Sequence, residues 1–405
     1  MTRSVAITGL GAISSLGESV GEFWSSLKAG RSGISPAGCN CDDSALKVGA
    51  FVSGFEPVRY FSSDELALMD RFSQFAVVAA REALSDAGFD KGSSSLLSMG
   101  VVVGTGCGGK HTDEETYRRL YRDGGSRVHP LTIPRGMPSA AASMVSMMLG
   151  ISGPVFSVTS ACASAAHAVI QGKMMIECGM ADVVLVGGTD APFTYGLTKS
   201  WEALRVVSND TCRPFSQDRS GMVLGEGAAM IVLESVDHAR ERGADVYADL
   251  IGVGMSSDAG HITKPDVDGM SRAMKLALED AQMGPDMIGY VNAHGTATQV
   301  NDVAETAALH KVFGEYVRSI AVSSTKSMHG HALGASSALE LVATVLSVKH
   351  GCIPPTANFS SAGDGCDLDY VPNEARYRTV AAAMSNAFAF GGMNAALVVR
   401  SHNPG

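Results

Sequence analysis

One cysteine of this chain stands where a thiolate could act as a nucleophile. Cys162 follows the apolar run 155–158 and precedes a stretch rich in alanine and serine, so we expect it at a turn from a strand into a helix. Free backbone N–H groups and the helix dipole favour an anion there, and the same donors could bind the oxyanion formed when a thiolate attacks a carbonyl. We therefore expect a more populated thiolate than in a free cysteine. The alternative is a buried cysteine that only fills space beside alanines.

Two histidine-containing segments also follow predicted strands. His294 comes directly after the run 288–291, and His329 and His331 follow the run 320–323. A histidine at a strand end with small neighbours suits a site that is open to a substrate. A lone histidine is more often a hydrogen-bonded core residue, but two segments in equivalent places favour one shared site.

The same side chains raise the question of a metal or a redox cofactor. His294, His329, His331 and Cys162 are all of zinc-ligand type, but they come from separate strand ends and no HExxH-type spacing accompanies them. The glycine-rich segment 104–109 lacks the glycine spacing of a dinucleotide-binding loop. We therefore expect no metal and no nicotinamide or flavin cofactor.

A pair of glycines after an aromatic residue is the fourth candidate. Gly391 and Gly392 follow Phe390, and Phe388 lies two residues before it. Paired glycines let the backbone turn tightly, which would present an N–H group to a ligand while the ring acts as a movable wall. The alternative is a plain turn between two core strands.

Composition excludes several classes of protein. The chain has 405 residues, of which 45% are apolar and 18% charged, a composition typical of a large folded core rather than a disordered chain. Its formal charge is −10 without a dense Lys/Arg block, so we expect no nucleic-acid partner. No apolar run reaches the ~18 residues of a membrane span, so we expect no membrane partner. The eight cysteines are scattered without CxxC pairs, which favours free thiols and a cytoplasmic location.

The elements that must position these residues alternate along the chain. Short apolar runs at 4–7, 100–103, 182–186 and 288–291 indicate buried strands, and helical patterns at 66–87 and 270–281 lie between them. Such alternation predicts an α/β fold with mostly parallel sheets. The passage from the strand at 155–158 through Ser/Thr into a small-residue helix has a counterpart that starts at 320. This repeat indicates a duplicated fold whose halves meet near residue 245.

Taken together, these segments resemble the elongating β-ketoacyl-[acyl carrier protein] synthases, the condensing enzymes of thiolase fold. The resemblance covers essentially the whole chain and is carried by residues 7–11, 212–215, 221–227 and 390–392. Residues 162–165 and 201–206 are most similar to the nodulation protein E-like branch. The resemblance implies two similar halves, residues 1–245 with the nucleophilic cysteine and 246–405 with both catalytic histidines. Each half would contribute a mixed, mostly parallel five-stranded sheet to a layered α-β-α-β-α arrangement.

The resemblance also implies a role for each matching residue. Cys162 would accept the acyl chain, and His294 and His331 would act in the decarboxylation of malonyl thioester. His331 rather than His329 fits the family pattern of Gly-His followed by Gly three residues later. The remaining implied roles are site orientation by Lys326 with Glu305 as its partner, an oxyanion hole and gate of Cys162, Phe390, Gly391 and Gly392, substrate contacts by Thr296, Thr298, Cys107 and Phe388, and carrier docking by Arg127 and Arg205.

The implied activity is that of a 3-oxoacyl-[acyl carrier protein] synthase, an acyltransferase. A Cys-bound acyl chain would condense with malonyl-[acyl carrier protein], releasing CO2 and a chain two carbons longer, in fatty acid or specialised acyl and polyketide biosynthesis. No cofactor is implied beyond the phosphopantetheine arm of the carrier. The implied partners are acyl carrier protein and a second copy of the chain in a homodimer, or a chain-length partner in a heterodimer.

One departure from the family concerns the carrier. Housekeeping members have basic residues before a Met-Asp pair, whereas Asp64 and Glu65 precede Met69 and Asp70 here. We therefore expect the carrier to dock mainly at Arg127 and Arg205, which favours a dedicated carrier and a specialised acyl chain.

Two other readings share the fold. A thiolase would use a second cysteine near the C-terminus, and the segment 388–394 contains none. A non-catalytic chain-length partner would have lost the nucleophile, whereas Cys162, His294 and His331 are all present. The sequence leaves open the acyl primer, the chain length and the choice between homodimer and heterodimer.

Overall fold

The computed structural model describes residues 3–37, 46–90 and 92–403. The strands are β1 (Val5–Ser14), β2 (Ser35–Pro36), β3 (Val48–Gly49), β4 (Gly100–Gly104), β5 (Val155–Val158), β6 (Val183–Asp190), β7 (Gly227–Ser235), β8 (Ala248–Ser257), β9 (Tyr290–Asn292), β10 (Ala321–Ser323), β11 (Cys352–Ile353), β12 (Arg376–Tyr377), β13 (Ala382–Ala389) and β14 (Met393–Arg400). The helices are α1 (Val20–Lys28), α2 (Ser63–Ala67), α3 (Arg71–Asp86), α4 (Lys110–Tyr117), α5 (Thr132–Gly136), α6 (Ala140–Leu149), α7 (Ser164–Glu177), α8 (Tyr195–Leu204), α9 (Val236–Glu241), α10 (Val267–Asp280), α11 (Asn301–Phe313), α12 (Lys326–His329) and α13 (Ser336–His350).

Ten strands of this part of the chain form one mixed sheet in two matching halves. The order is β10-β9-β13-β14-β8-β1-β7-β6-β4-β5, and β1 meets β8 through only two residue pairs, Ala6 with Asp249 and Ile7 with Ala248. In the first half β4 runs parallel to β5 and β6, and in the second half β9 runs parallel to β10 and β13. Each half continues inward through antiparallel pairs. The prediction of a mixed sheet in two similar five-stranded halves is confirmed.

The expected predominance of parallel pairing is wrong. Among the nine neighbouring pairs of this sheet, four are parallel and five are antiparallel. Strands covered by helices on both faces read as continuous apolar runs whichever way their neighbours point. The pattern of apolar residues therefore predicted burial correctly and strand direction incorrectly.

Alternate residues of the strands pack into different layers. In β6, Val184 and Val186 belong to the central apolar cluster with residues of α7 and α13, whereas Val183 and Leu185 belong to the cluster of α3 and α6. In β14, alternate residues likewise face the central cluster or the cluster of α10 and α11. This period of two, with helices on both sides of each half-sheet, gives the expected α-β-α-β-α layering.

The predicted helix over 66–87 is two helices in the structure. A carboxylate oxygen of Asp70 accepts a hydrogen bond from the N–H of Phe72 at 3.3 Å, so α3 begins after Asp70 and the short α2 ends before it. Aspartate is a favoured N-cap residue because it satisfies a free N–H of the first turn. No helix within the described residues is both long and apolar enough to cross a membrane.

Glycines let the N-terminus of α7 lie directly on the sheet. A Cβ atom on Gly104 would lie 2.4 Å from the backbone of Ser164 and Ala165, and one on Gly188 would lie 2.6 Å from the Cβ of Ala165. Only glycine permits such an approach. The turn that carries Cys162 is thereby fixed at the ends of β4 and β6.

The two halves repeat this turn. A 3₁₀ turn over Ala161–Ala163 precedes α7, and a 3₁₀ turn over Leu333–Ala335 precedes α13. The first residue of each turn has the same unusual φ of 49°. Cys162 and Gly334 therefore occupy equivalent middle positions of one repeated turn.

Candidate active site

Residues predicted from separate parts of the sequence converge on one cavity. The cavity has a volume of about 320 Å³ and contains Cys162, His294 and His331 in its wall. The other predicted residues that line it are Thr296, Thr298, Phe388, Phe390, Gly392 and Arg205. Cys162 comes from the first half of the chain and both histidines come from the second, so the site requires both halves.

The environment of Cys162 disfavours the thiolate. Burial raises the pKa of the Cys162 thiol to about 12, although the charge of Lys326 and a hydrogen bond from the backbone N–H of Phe390 act in the opposite direction. The expectation of a more populated thiolate at this helix start is therefore wrong, because loss of hydration outweighs the local donors. A raised pKa favours the neutral thiol form of Cys162.

His331 is held as a neutral imidazole with its proton on Nε2. The backbone N–H of Leu333 donates to Nδ1 of His331 at 3.0 Å, which makes Nδ1 an acceptor, and the Ser336 hydroxyl also lies 2.9 Å from Nδ1. Burial, and after it the charge of Lys326, lowers the pKa of His331 well below its usual value. Because a neutral imidazole carries one proton, that proton lies on Nε2.

His294 is held in the same tautomer by a lysine. Nζ of Lys326 lies 3.3 Å from Nδ1 of His294 and 2.7 Å from the carbonyl oxygen of the same residue. An ammonium group only donates, so Nδ1 is the acceptor and Nε2 carries the proton. Burial, and after it Lys326, lowers the pKa of His294 well below its usual value.

The expected pairing of Lys326 with Glu305 is wrong. Lys326 forms a fully buried ion pair with Glu340, a residue of α13. The carboxylate of Glu305 instead accepts the backbone N–H groups of His294 and Gly295, each at 2.8 Å. Both glutamates support His294. Glu305 binds the main-chain N–H of His294, and Glu340 holds Lys326, which in turn contacts His294.

The imidazole rings of His294 and His331 pack edge to face in the cavity wall. Their ring centroids are 5.6 Å apart and their planes meet at 87°. Phe388 packs edge-on against His294 with centroids 6.2 Å apart. Two neutral N–H donors close to a cysteine can stabilise an oxygen that becomes negative during a reaction.

Phe390 lies in the hairpin turn between β13 and β14. Gly391 and Gly392 adopt φ of 85° and 72°, values that favour glycine. The ring of Phe390 stacks on Trp201 with centroids 6.1 Å apart, and the N–H of Gly391 donates to the carbonyl of Ile262 at 2.7 Å. The segment is thus both a turn between core strands and a wall of the cavity.

Two threonines follow His294 along the cavity wall. The hydroxyls of Thr296 and Thr298 are 3.0 Å apart and hydrogen-bonded to each other. Arg205 is exposed and also lines the cavity. Together they place polar groups along one side of the opening.

Besides Gly391, Lys326 and Glu305, three residues considered from the sequence lie outside the cavity wall. Cys107 does not line this cavity but packs in an apolar cluster with Leu333 and Met222, of which Met222 is also part of the cavity wall. Arg127 is exposed and outside the cavity. His329 is buried outside the cavity, with Nε2 3.0 Å from the hydroxyl of Thr325.

The described residues contain neither a disulfide nor a candidate metal site. The six cysteines within the described ranges are free thiols, and Cys39 and Cys41 lie outside the described residues. Across residues 3–37, 46–90 and 92–403, no cluster of three or more His, Cys, Asp or Glu could hold a metal ion.

Comparison with protein families identifies the chain. The Beta-ketoacyl synthase N-terminal domain matches residues 2–239, and the Beta-ketoacyl synthase C-terminal domain matches residues 247–360. The chain belongs to the β-ketoacyl synthase family.

The synthase is similar to two groups of curated proteins. It is 48% identical to nodulation protein E of Rhizobium meliloti (strain 1021), over 99% of this chain and 100% of that protein. It is 40% identical to 3-oxoacyl-[acyl-carrier-protein] synthase 2 of Coxiella burnetii, over 98% of each. These similarities confirm the condensing-enzyme class and the nodulation protein E-like branch.

The synthase also superimposes on solved structures. The ishigamide ketosynthase/chain length factor matches with a TM-score of 0.95 and 35% identity over 100% of both chains. A type II polyketide ketosynthase in complex with its acyl-carrier protein matches with a TM-score of 0.90 and 32% identity over 99% of this chain and 100% of that one. The thiolase-like fold of the synthase is confirmed by these neighbours.

Sequence reasoning missed Glu340 and Ser336. Both lie in α13. Glu340 forms the ion pair with Lys326, and the hydroxyl of Ser336 contacts Nδ1 of His331. The only signal was Glu340 itself, the one acidic residue of α13, since a fully buried charge needs a partner.

Proposed function

We propose that this synthase elongates acyl chains as a 3-oxoacyl-[acyl carrier protein] synthase, with Cys162 as acyl acceptor and His294 and His331 as the decarboxylation pair. One observation carries the assignment. Both imidazoles accept a hydrogen bond at Nδ1, so both carry their proton on Nε2, and both residues line the cavity that contains Cys162.

The first half-reaction transfers the acyl chain to Cys162. The sulfur attacks the thioester carbonyl, the carrier thiol leaves, and the proton of Cys162 ends on that thiol. The backbone N–H groups of Cys162 and Phe390 stabilise the oxyanion, and the bond from Phe390 to the cysteine supports this placement. Holding the chain covalently divides one difficult condensation into two easier steps.

The second half-reaction forms the carbon–carbon bond. Malonyl thioester places its carbonyl oxygen between the Nε2–H groups of His294 and His331, which stabilise the enolate as CO2 leaves. The enolate carbon attacks the acyl group on Cys162, and the 3-oxoacyl chain leaves on the carrier. The thiolate of Cys162 then takes a proton, a step favoured by the raised pKa of its thiol.

The proposed chemistry uses the chain's own donors and needs no cofactor besides the carrier's phosphopantetheine. That arm enters along Thr296 and Thr298, both of which line the cavity. Neutral donors suit an enolate better than imidazolium groups would, because they stabilise the developing charge without first attracting the malonyl carboxylate as an ion pair.

We further propose an acidic acyl carrier protein as partner, docked at Arg205 and Arg127. Arg205 is exposed at the cavity and Arg127 is exposed outside it. Asp64 and Glu65, at the start of α2, disfavour docking of an acidic protein there. Charge reversal of Arg127 and Arg205 should raise KM for carrier-bound substrate and leave unfolding unchanged; an unchanged KM rules this surface out.

We propose a homodimer built through β5. This strand is the outermost strand at one end of the ten-stranded sheet, and its Phe156 is 38% exposed. An exposed edge strand offers unpaired backbone groups to a second copy. Light scattering should give twice the chain mass, and Phe156→Asp should shift the mass to that of a monomer. A heterodimer would instead require a second, different chain for stable assembly.

The specialised acyl chain remains part of the proposal. Its support is the similarity to nodulation protein E together with the acidic start of α2. The deciding experiment is intact mass of the synthase after incubation with a ladder of acyl carriers, with Cys162→Ala as control. A single preferred chain class on Cys162 supports the proposal and names the primer. Absence of acyl mass from every carrier contradicts it and favours a chain-length partner.

A further inference from the structure

A buried aspartate outside the catalytic trio joins the two halves of the site. Asp190 is the last residue of β6 and is fully buried. Its carboxylate accepts four hydrogen bonds, from the hydroxyl of Thr105 at 2.8 Å and from the N–H groups of Gly106 at 2.8 Å, Cys107 at 3.0 Å and Gly334 at 2.7 Å. Burial raises the pKa of Asp190 to about 6, and the four donors act in the opposite direction by favouring the ionised form.

One side of Asp190 leads to the nucleophile. Thr105 holds the carboxylate with its hydroxyl, and its carbonyl oxygen lies 3.2 Å from the hydroxyl of Ser164. Ser164 begins α7 directly after the Cys162 turn and accepts the N–H of Ser160 at 2.9 Å. The aspartate is thus two contacts away from Ser164, which follows the Cys162 turn, and three contacts away from Ser160, which precedes it.

The other side leads to an imidazole. Gly334, which donates to Asp190, follows Leu333, whose N–H fixes Nδ1 of His331. A Cβ atom on Gly334 would lie 2.7 Å from an Asp190 oxygen and 2.4 Å from the nitrogen of Gly106. The turn of the second half is therefore pressed against the aspartate and the loop of the first half.

Thiol activation does not explain this carboxylate. Burial is the main cause that raises the pKa of Cys162, and the negative charge of Asp190 raises it further. The group works against the thiolate, so its place in the site needs another reason. Its four hydrogen bonds supply one, because three come from residues 105–107 of the first half and the fourth comes from the turn next to His331.

We propose that Asp190 is a positioning residue that sets the Cys162 turn and the His331 turn relative to each other and holds His331 in its Nε2–H tautomer. This inference rests on the proposed function for its kinetic consequence only. The tautomer of His331 can be measured without any turnover.

The test compares three variants with the wild type. Asp190→Asn keeps the volume but replaces an acceptor oxygen by a donor, so at least one N–H loses its partner. Thr105→Val removes the hydroxyl that donates to Asp190 on the Cys162 side and that also accepts the N–H of Gly108 at 3.0 Å, and it leaves the three N–H bonds to Asp190 in place. Glu82→Gln alters a carboxylate that accepts the N–H groups of Ala12 and Val20 outside the cavity, and so controls for the loss of a structural carboxylate.

Three quantities are measured for each folded variant. They are the rate of Cys162 acylation by intact mass, kcat and KM for malonyl-carrier decarboxylation, and the ¹⁵N shifts of the His331 ring. For Asp190→Asn we expect kcat to fall about 100-fold, the loss typical of a 1 Å misplacement, with KM within about 2-fold. We also expect His331 to show a mixture of tautomers. Thr105→Val should slow acylation and leave the His331 shifts unchanged, and Glu82→Gln should change only the unfolding temperature.

The outcomes separate this inference from the proposed function. Wild-type His331 shifts and a wild-type kcat in Asp190→Asn overturn the inference while leaving the synthase activity intact. If Asp190→Asn does not fold, Thr105→Val decides, and a folded Thr105→Val with wild-type acylation makes Asp190 purely structural. If the wild type is never acylated, the proposed function fails, and the His331 shifts of Asp190→Asn still decide the positioning role.

Discussion

Nζ of Lys326 lies 2.7 Å from the carbonyl oxygen of His294 and 3.3 Å from Nδ1 of the same residue. One cation therefore fixes both the backbone and the ring of a histidine in the cavity wall. The arrangement requires a counter-charge, which Glu340 supplies inside α13. The Lys326–Glu340 ion pair therefore both orients His294 and neutralises the buried charge of the lysine.

Lys326→Met should cost both stability and activity. The substitution leaves Glu340 as an uncompensated buried carboxylate, which typically costs about 3–5 kcal/mol, and it frees Nδ1 of His294. Urea unfolding and malonyl-carrier decarboxylation measure the two effects. The double variant Lys326→Met with Glu340→Leu should regain most of the stability and none of the activity. A single variant as stable as the wild type would show that the pair is not essential to folding.

His331→Ala should separate the two half-reactions. Loss of one donor to the enolate oxygen should lower decarboxylation about 10²–10³-fold, while acylation of Cys162 should change only a few-fold. His329→Gln is the matched control, because His329 lies outside the cavity. Equal losses of decarboxylation in both variants would contradict the assignment.

The rate at which iodoacetamide labels Cys162 should keep rising with pH well above the pH at which a free cysteine reaches its plateau. The pKa of its thiol is raised to about 12, so the reactive thiolate grows tenfold per pH unit throughout pH 7–10. A free cysteine levels off above its pKa of ~8.5. Peptide mapping with Cys162→Ser as reference isolates the adduct at this position. A plateau near pH 8 would mean that the helix start and Lys326 outweigh burial.

The two glycines of the hairpin turn should respond differently to alanine. At Gly391 a Cβ atom meets only the end of the Met393 side chain at 3.3 Å, whereas at Gly392 it would lie 2.6 Å from the Cβ of Asp258. Gly391→Ala should cost the ~1 kcal/mol typical of an alanine at positive φ, and Gly392→Ala clearly more. Thermal unfolding and kcat of both variants test this order, and a reversed order would refute the role given to packing on Asp258.

Cys107→Phe should shorten the preferred acyl primer. Cys107 packs in a cluster with Leu333 and with Met222, and Met222 is also part of the cavity wall. Added volume should therefore be transmitted to the cavity through that wall. A ladder of acyl carriers measures the chain-length profile, with the exposed Cys178→Phe as control. The same profile in both variants would place the acyl chain elsewhere.

Much of the site could be predicted from sequence because its residues lie at strand ends. Cys162 and His294 follow strands directly, and such positions meet at one edge of a sheet. The ion pair of Lys326 could not be predicted in the same way. Glu340 lies 14 positions from Lys326 along the chain, and only the packing of α13 brings the two together.

Strand direction and the state of the thiol escaped prediction for other reasons. A strand such as β7 is buried on both faces, so its sequence does not record whether its neighbours run parallel. The helix start at Cys162 was visible in the sequence, but the loss of hydration around it was not. Burial by residues distant in sequence decides the pKa there.

The repeated turn has Cys162 at its centre in one half and Gly334 in the other, so the scaffold is symmetric while its chemistry is not. Under the proposed mechanism, a chain assembled from two copies of residues 1–245 would have Cys162 twice and no counterpart of His294 or His331. A chain assembled from two copies of residues 246–405 would have both histidines twice and no counterpart of Cys162. Neither chain could complete the proposed cycle, so that mechanism depends on the differences between the two halves as much as on their likeness.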